Sequence, residues 1–379
     1  MRIAQLSLNQ PSPGEADFQP LVALQPQLVL AFGSVAALQA GAEPLRKALP
    51  QAHLVGCSTA GEISCEGVAD GSLVCTALAF EHAQVRQVST ELHGMDDSQA
   101  AGRRLAQGLQ PQGLRGILIF GQGVHINGTA VIAGMAEVLG TQVPIMGGLA
   151  GDAGAFVQTW VLDDEGLSCS RLVCVGLYGE SLRLSHGSFG GWTPFGPARK
   201  VTRSALNVLY ELDGEPALSV YKRYLGEHAA GLPASGLLFP FSMLGEDHNE
   251  LGLIRTILGI DEVEGSLTLA GEIDANGYLK LMHASTDALV GGAEAAAEMA
   301  RGVARNDGDS LSLLVSCVGR KLVMGGRVDE EVEAVGAVLG PKTTLAGFYS
   351  YGEISPGGGV ADCKLHNQTM TITCIAEAA

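Results

Sequence analysis

Runs of consecutive apolar residues recur along the chain, and each is followed by a stretch of helical character and a second apolar run. The three units that share this pattern span residues 28–64, 116–152 and 311–355. Apolar runs without alternation indicate strands that are covered on both faces. A strand, a helix and a second strand within about 35 residues have the size of a βαβ unit. The pattern therefore predicts an α/β fold with mixed sheets, built from three copies of one strand–helix–strand unit.

Each copy ends in a glycine-rich turn. Residues 56–64 and 347–355 share the pattern Gly-x-x-x-x-Gly-Glu-Ile-Ser, and the middle copy has an aspartate in place of the glutamate. Ligands of open α/β sheets bind at the carboxyl ends of strands, and glycine lets the backbone approach a ligand. The three turns could line one pocket, or they could merely close tight turns against packed helices. The ligand-binding candidates in these turns are Cys57, Ser58, Thr59, Glu62, Gly147, Gly148, Asp152, Tyr349, Ser350, Tyr351 and Glu353.

The segment Gly-Gly-Trp-Thr-Pro-Phe-Gly-Pro at residues 190–197 interrupts the repeated pattern. It predicts a boundary between one domain at 1–195 and a second at 196–379. A helical stretch is predicted over residues 207–225, divided near Gly214 and Pro216, because proline breaks a helix interior. A further helix is predicted over 293–305, which is rich in alanine.

Charge and composition narrow the class of partner. The chain has 23 basic and 40 acidic side chains, a formal net charge of −17, and this charge disfavours binding to nucleic acids or to anionic membranes. The N-terminus lacks the pattern of a signal peptide, and the apolar runs are too short to span a bilayer. Eight cysteines form no CxxC pair and lie mostly in apolar runs, as is typical of the reducing cytosol. A cytoplasmic protein is predicted.

Several of these motifs resemble the FIST family of bacterial signal-transduction sensors. The segments that carry the resemblance are residues 56–63, 190–197, 349–354 and 366–370. The resemblance implies two packed subdomains, a FIST N-terminal domain at 1–195 and a FIST C-terminal domain at 196–379. It also implies that the protein binds a small ligand and is not an enzyme. Its output would pass to a separate histidine kinase or diguanylate cyclase, because no output module follows, and a homo-oligomer is compatible with this role.

The resemblance extends to haem-based nitric-oxide sensors, so haem b is the first cofactor candidate. An amino-acid-like ligand without haem is the alternative. A haem iron needs an imidazole that faces an apolar pocket, and we predict His186 as the metal ligand because Phe189, Trp192 and Phe195 follow it closely. A histidine that is only hydrogen-bonded in the core or at the surface is the other interpretation.

Arg255 stands in an otherwise apolar, strand-like segment. A buried guanidinium needs a carboxylate partner, which could come from Glu62, Asp152, Glu353 or the acid group of a ligand. The alternative is an edge strand in which Arg255 faces water.

Two further candidates, His366 and Asn367, are predicted to join a hydrogen-bonded cluster that positions the turn at 349–351. An enzyme with Cys57 as its nucleophile is the rival class of function. No neighbouring residue in the sequence supplies the base that this thiol would need. No GxSxG, P-loop or HExxH motif in the required context is present either.

Overall fold

The computed structural model describes residues 1–303, 309–357 and 363–378. Its strands form three six-stranded sheets and one nine-stranded sheet. The three predicted copies build the six-stranded sheets, and residues 193–283, inserted within the third copy, build the nine-stranded sheet. The predicted α/β class with mixed sheets and repeated strand–helix–strand units is confirmed.

The first copy begins at the N-terminus. Its elements are β1 (Arg2–Leu8), α1 (Gln19–Val22), β2 (Leu28–Gly33), α2 (Val35–Ala48), β3 (His53–Ser58), β4 (Glu62–Ser64), β5 (Gly67–Ala69) and β6 (Leu73–Ala79). Strands β2 and β3 are parallel and are connected by α2, whereas β6 and β1 add antiparallel. The Ser34 hydroxyl starts α2 because it accepts a hydrogen bond from the Ala37 N–H at 3.2 Å.

The second copy repeats this arrangement. Its elements are β7 (Gln84–Glu91), α3 (Ser98–Gly108), β8 (Leu114–Gly121), α4 (Gly128–Leu139), β9 (Ile145–Leu149), β10 (Val161–Asp163), β11 (Gly166–Ser168) and β12 (Arg171–Tyr178). Strands β8 and β9 are parallel and are connected by α4. The Asn127 side chain caps α4 by accepting from the Ala130 N–H at 3.0 Å.

The third copy starts with β13 (Leu182–Phe189), and the chain then leaves it to form the nine-stranded sheet, which we call the inserted sheet. Its elements are β14 (Thr193–Pro194), β15 (Arg199–Ala205), β16 (Val208–Leu212), β17 (Glu215–Pro216), α5 (Ala217–Leu225), β18 (Phe241–Leu244), β19 (Glu250–Arg255), β20 (Ile257–Asp261), β21 (Ser266–Leu269) and β22 (Tyr278–His283). The helix predicted over 207–225 is therefore wrong in its first half. Residues 208–212 form a strand because β15 and β21 both pair with it.

The rest of the third copy follows the inserted sheet. Its elements are α6 (Thr286–Ala300), β23 (Ser310–Cys317), α7 (Val318–Met324), α8 (Asp329–Leu339), β24 (Thr343–Ser350), β25 (Gly352–Pro356), β26 (Cys363–His366) and β27 (Met370–Glu377). Strands β23 and β24 are the parallel pair of this copy. The predicted boundary at residue 195 lies where the chain passes from β13 into the inserted sheet.

Each copy donates a hairpin to the sheet of another copy. The β4–β5 hairpin pairs with β24, the β10–β11 hairpin with β3, and the β25–β26 hairpin with β9. The first copy thus completes the sheet of the third, the third that of the second, and the second that of the first. We call this closed exchange the ring. Within the described ranges, no helix combines the length and the apolar character needed to cross a membrane.

Candidate functional site

The three glycine turns meet in the middle of the ring, and we call residues 56–62, 147–152 and 347–353 the central turns. Each turn is hydrogen-bonded through its main chain to a neighbour: Gly151 N–H to Ser58 C=O at 2.8 Å, Ala60 N–H to Tyr349 C=O at 2.8 Å, and Tyr351 N–H to Leu149 C=O at 3.1 Å. The structure therefore brings together the candidate residues of all three copies, and it joins them by direct contacts between the turns.

Protein atoms fill the space between the central turns. The rings of Phe32, Phe120 and Phe348, one from each six-stranded sheet, have centroids 4.7–6.0 Å apart. Ser58 and Thr59 in the first central turn are also buried. The shared cleft that was one interpretation of the turns is thus occupied by side chains and main-chain hydrogen bonds.

The glycines of the central turns allow neighbouring strands to approach closely. A Cβ atom at Gly147 would lie 2.1 Å from the Ile119 carbonyl oxygen, and one at Gly148 would lie 2.7 Å from a methyl group of Val315. Real Cβ contacts are never this short, so no larger residue fits at either position without movement of the strands. These glycines serve the packing of the ring, as the second interpretation of the turns has it.

Glu62 is held by its own copy. One carboxylate oxygen accepts hydrogen bonds from the Ser72 N–H at 2.9 Å and the Ser72 hydroxyl at 2.7 Å, and the other accepts from the Thr59 hydroxyl. Burial raises the pKa of the Glu62 carboxyl, and the hydrogen bonds from Thr59 and Ser72 oppose that rise. The hydrogen bonds of the Glu62 side chain therefore stabilise the first central turn.

Glu353 occupies the matching position in the third copy. It accepts from the Thr369 N–H at 3.1 Å, the Thr369 hydroxyl at 3.0 Å and the Ser350 hydroxyl at 2.8 Å. Burial raises the pKa of Glu353 to about 8, so much of this carboxyl is protonated at neutral pH. Both glutamates therefore cap their own turns.

Asp152 closes the central turn of the second copy in a different way. Its carboxylate accepts from the N–H groups of Phe156, Val157 and Gln158 at 2.7–2.9 Å and from the Tyr351 hydroxyl. The Tyr351 ring also stacks on Phe156 at 4.1 Å. Asp152 and Tyr351 thus fasten the second copy to the third.

Cys57 and Tyr349 lie inside the packed core. Burial raises the pKa of the Cys57 thiol well above its usual value, which keeps the thiol protonated and poorly nucleophilic. The Tyr349 hydroxyl donates to the Glu331 carboxylate at 2.6 Å. Neither side chain is accessible from solvent, so neither meets a ligand while the ring is closed.

Three cavities lie between the ring and the inserted sheet, in the part of the chain that the structure describes. We name them by one lining residue each: the His186 cavity of about 680 Å³, the Arg255 cavity of about 300 Å³ and the Asn367 cavity of about 250 Å³. Strand β26 and the residue after it separate them. Lys364 faces both the His186 and Arg255 cavities, Leu365 the Arg255 and Asn367 cavities, and His366 the His186 cavity.

Exposed apolar side chains surround two of these cavities. Large apolar residues that are more than a third exposed include Phe189, Leu251 and Met299 at the His186 cavity, and Met95, Leu206 and Leu258 at the Asn367 cavity. Apolar surface collected around an opening is typical of a ligand site. The apolar rims therefore distinguish these two cavities from ordinary surface grooves.

His186 lies on β13 and lines the largest of the three cavities. Its imidazole is half-buried and has no hydrogen-bond partner among the described residues. Burial lowers the pKa of His186, so the ring is neutral at neutral pH and can act as a metal ligand. Trp192 and Phe189 line the same cavity as predicted, whereas Phe195 packs against Phe239 with centroids 6.3 Å apart.

Arg255 ends β19, which is the edge strand of the inserted sheet, yet it is only 3% exposed. Its guanidinium donates to the carbonyl groups of Glu272 at 3.0 Å and Ile254 at 3.1 Å. Burial lowers its pKa to about 10, and the Glu272 charge partly opposes this. No carboxylate of the described residues forms an ion pair with it, so the chain itself supplies none of the predicted partners.

Asn367 follows β26 and is 2% exposed. It lines the Asn367 cavity together with Tyr351, Leu365 and Glu272. Its amide oxygen is buried and has no hydrogen-bond partner within residues 1–303, 309–357 and 363–378, which is uncommon for a buried polar atom and needs an explanation. A ligand group that donates a hydrogen bond would supply one.

His366 makes a different contact from the predicted one. Its imidazole lies 3.3 Å from the Ser355 carbonyl oxygen, within the β25–β26 hairpin rather than at the turn of residues 349–351. Burial lowers the pKa of His366 to about 4, and the nearby Arg255 charge adds to this effect. His366 therefore presents a second neutral imidazole to the His186 cavity.

Comparison with known protein families decides the class of the chain. A model of the FIST N domain matches residues 27–215, and a model of the FIST C domain matches residues 217–356. The chain belongs to the FIST family. FIST domains are signal-transduction sensor domains that bind small ligands. The FIST N match continues past the predicted boundary at residue 195 and ends inside the inserted sheet.

Other similarities of this FIST protein are more distant. A protein of Methanocaldococcus jannaschii described as uncharacterized is 26% identical over 200 residues, which cover 48% of the chain and 37% of that relative. The match thus spans little more than a third of the relative's length. Two cyanuric acid hydrolase structures, one from A. caulinodans, align over 99–100% of the chain and 99% of their own at 12% and 9% identity. Their TM-scores of 0.37 and 0.33 are too low for any conclusion.

Several side chains that line the cavities of this FIST protein are not among the residues predicted from the sequence. Glu272 lies between β21 and β22, and its carboxylate accepts from the Asn127 side-chain amide at 3.2 Å, which joins residues far apart in the sequence. Asn127 itself carries a recognisable signal, because an asparagine before a helical pattern predicts an N-cap. No local pattern marks Lys364 or Glu272 as part of a site.

Proposed function

We propose that this FIST protein is a sensor whose small ligand binds between the ring and the inserted sheet, and that it binds the ligand without transforming it. The observation that carries the proposal is the grouping of three cavities along β26. Ligand sites favour interfaces between structural units, and volumes of roughly 300–1,000 Å³ are usual for them. The largest cavity falls within that range.

The contacts across this interface suggest how ligand binding changes the protein surface. Gln368 accepts a hydrogen bond from the Trp192 indole N–H at 2.8 Å and donates to the Leu237 carbonyl at 3.0 Å. It therefore ties the strand that lines the cavities to the inserted sheet. A ligand with different affinities for two placements of that sheet shifts the population between them. In this proposal a separate histidine kinase or diguanylate cyclase binds one placement, and signalling takes place in the cytoplasm.

Haem b is the first candidate ligand, and the His186 cavity fits it. The cavity offers the neutral imidazole of His186, the flat apolar surfaces of Trp192 and Phe189, and Lys364 as a cation for propionate groups. His186 would hold the iron. A bound haem would supply an iron atom at which a gas such as nitric oxide can bind. Trp192 is already fixed by its hydrogen bond to Gln368, so the apolar wall is ordered before a ligand arrives.

The haem candidate predicts a Soret absorption band in the purified protein after incubation with haemin. Replacing His186 with alanine should abolish the band, because the iron then loses its protein ligand. The exposed His82 provides the matched control, and His82→Ala should retain the band. A second variant, His366→Ala, tests the other imidazole of the cavity. A folded wild-type protein without a band, or a band that depends on His366 rather than His186, contradicts the assignment.

An amino-acid-like ligand without haem is the second candidate, and the buried charge of Arg255 favours it. The guanidinium is 3% exposed and forms no ion pair with a carboxylate of the described residues, and the acid group of a ligand would offset the cost of burying this charge. The Arg255 cavity is smaller and lies against α4, so it suits a small carboxylate rather than a macrocycle.

This second candidate predicts that some members of a panel of amino acids and their amides raise the thermal midpoint, with the free acids more effective than the amides. Arg255→Met should weaken binding of the best acid by about tenfold or more, because removing one partner of a buried charge pair costs about 2–5 kcal/mol. Arg203→Met on the same sheet is the matched control, since that arginine is half-exposed and pairs with Glu211 at 2.9 Å. Equal affinity in both variants would exclude Arg255 as the carboxylate partner.

A further inference from the structure

We call each place where two central turns meet a junction of the ring. The first junction, between the central turns of the first and third copies, contains an ammonium group that the protein itself supplies. The Nζ atom of Lys321, on α7 of the third copy, donates to the Ala60 carbonyl at 2.9 Å and to the Asp70 carboxylate. It also lies 5.5 Å from the centre of the Tyr349 ring. A carbonyl, a carboxylate and an aromatic face together form a complete site for a primary ammonium group.

The next junction of the ring repeats the main-chain geometry of this site but has neither the lysine nor the aromatic ring. At the first junction the Ala60 N–H donates to the Tyr349 carbonyl. At the second junction, between the third and second copies, the Tyr351 N–H donates to the Leu149 carbonyl in the equivalent hydrogen bond. Tyr351 is therefore the counterpart of Ala60, and Leu149 is the counterpart of Tyr349.

Asn367 is the counterpart of Asp70. Asp70 lies two residues before Ser72, which holds the buried glutamate of the first central turn. Asn367 lies two residues before Thr369, which holds the buried glutamate of the third central turn in the same way. The two positions thus present an oxygen acceptor at equivalent places in two junctions.

The position of the ammonium group is open in the second junction. Tyr351, Leu149 and Asn367 all line the Asn367 cavity, and no residue that the structure describes forms a hydrogen bond with the amide oxygen of Asn367. The segment between β8 and α4 in the second copy, residues 122–127, contains no lysine. At the first junction the Asp70 carboxylate accepts from Lys321, whereas at the second junction Asn367 lines a cavity of about 250 Å³.

The charge around the Asn367 cavity favours a cation. Asp96 and Glu272 line it, and none of the lining residues that the structure describes is an arginine, a lysine or a histidine. Helix α4 starts at the same cavity and opposes a cation with a partial charge of about +0.5. Asn127 caps that helix end with its side-chain oxygen, and two carboxylates outweigh the remaining partial charge.

We propose that the Asn367 cavity binds the ammonium end of a small primary amine, which donates to the Asn367 amide oxygen and to the Tyr351 carbonyl. The inference rests on the proposed ligand-binding function and names the ligand class for one of the three cavities. The amine takes the place that the Lys321 side chain fills at the adjoining junction. The exposed apolar residues Leu206 and Leu258 at the rim then contact the carbon chain of the amine.

The test uses n-butylammonium chloride, which reproduces the carbon–nitrogen chain of a lysine side chain, and n-butanol as the uncharged control. Calorimetric titration should show that the wild-type protein binds butylammonium and does not bind butanol. Asn367→Asp introduces the carboxylate that Asp70 provides at the first junction, and it should bind butylammonium at least about tenfold more tightly because an ionised acceptor forms the stronger hydrogen bond. Asn367→Leu should lose the binding.

Lys321→Ala serves as the internal control for the probe. The variant lacks the ammonium group at the first junction, so we expect a lower thermal midpoint than in the wild type. Butylammonium should then raise the midpoint of Lys321→Ala by more than it raises the midpoint of the wild type. Absence of binding to the wild type, or equal affinity in wild type and Asn367→Asp, overturns the inference. If Asn367→Leu does not fold, the affinities of the wild type and of Asn367→Asp for butylammonium still test whether Asn367 contacts the amine. A Soret band or stabilisation by an amino acid in protein that ignores butylammonium would overturn this inference alone and leave the sensor function intact.

Discussion

Replacing Arg320 with alanine should lower the free energy of unfolding by about 3–5 kcal/mol, because it leaves the Glu331 carboxylate buried without its partner. Both side chains are 0% exposed, and their closest atoms are 2.7 Å apart. The guanidinium also donates to the Leu289 carbonyl at 2.9 Å and to the carbonyl of Gly190. Arg320 thus joins α7 to α6 and to the start of the inserted segment, and all of these bonds are lost together.

Arg327 offers a closely matched control in the same copy. It also pairs with a glutamate of α8, Glu330, at 2.7 Å, but its side chain is 52% exposed. Exposed ion pairs contribute about 1 kcal/mol or less, so Arg327→Ala should change the unfolding free energy little. Urea denaturation monitored by circular dichroism measures both variants. Similar losses in the two would show that burial of the Arg320 pair does not matter.

A double variant separates the loss of the pair from the loss of volume. Replacing Arg320 with methionine and Glu331 with leucine removes both charges, and such replacements of buried pairs are often neutral or stabilising. The Tyr349 and Ser316 hydroxyls would then lose their acceptor on Glu331, so we expect partial rather than full recovery. A double variant less stable than Arg320→Ala would contradict the unpaired charge as the cause.

Alanine in place of Gly56 should destabilise the ring by about 3 kcal/mol or more, since inserted atoms in a packed core force the backbone to move. A Cβ atom there would lie 1.8 Å from the Ala31 carbonyl oxygen of the neighbouring strand. The other two copies have the same contact at Gly147 and Gly347. Each copy therefore requires glycine at this position so that its two parallel strands can lie close together.

Gly291 on α6 is the matched control for this substitution. A Cβ atom at Gly291 would meet nothing within 4 Å, and alanine is favoured over glycine in a helix by up to about 1 kcal/mol. Gly291→Ala should therefore leave the protein as stable as the wild type or slightly more stable. Thermal unfolding of the two variants side by side measures the difference. A Gly56→Ala protein with the wild-type midpoint would show that the strands can separate at no cost.

The repeated architecture was predictable because its signals are local. Unbroken apolar runs identify the buried parallel strands, and the helical stretch predicted between the two apolar runs of the second copy is observed as Gly128–Leu139. The spacing of glycines in the three turns also indicates that the copies share a conformation. In contrast, Val208–Leu212 resembles a helix in sequence, and only pairing with two other strands makes it extended.

The exchange of hairpins and the cavities could not be predicted from local patterns. Strand β4 has only three residues, and nothing in them indicates that they pair with β24 rather than with the sheet of their own copy. The glycine-rich sequences predict a ligand site at the central turns, whereas the structure shows these turns in direct contact with one another. The cavities depend on side chains such as Asn127, Glu272 and Asn367, which meet only when the inserted sheet lies on the ring.

The closed exchange of hairpins limits which sheets can be completed while the chain is still being translated. The β4–β5 hairpin is synthesised about 280 residues before its partner β24, and β9 is synthesised about 200 residues before its partner β25. Until β24 and β25 emerge, β9 has an unpaired edge and β4–β5 has no sheet to join, and such edges favour association between nascent chains. Strands β24 and β25 therefore complete sheets that contain segments translated much earlier.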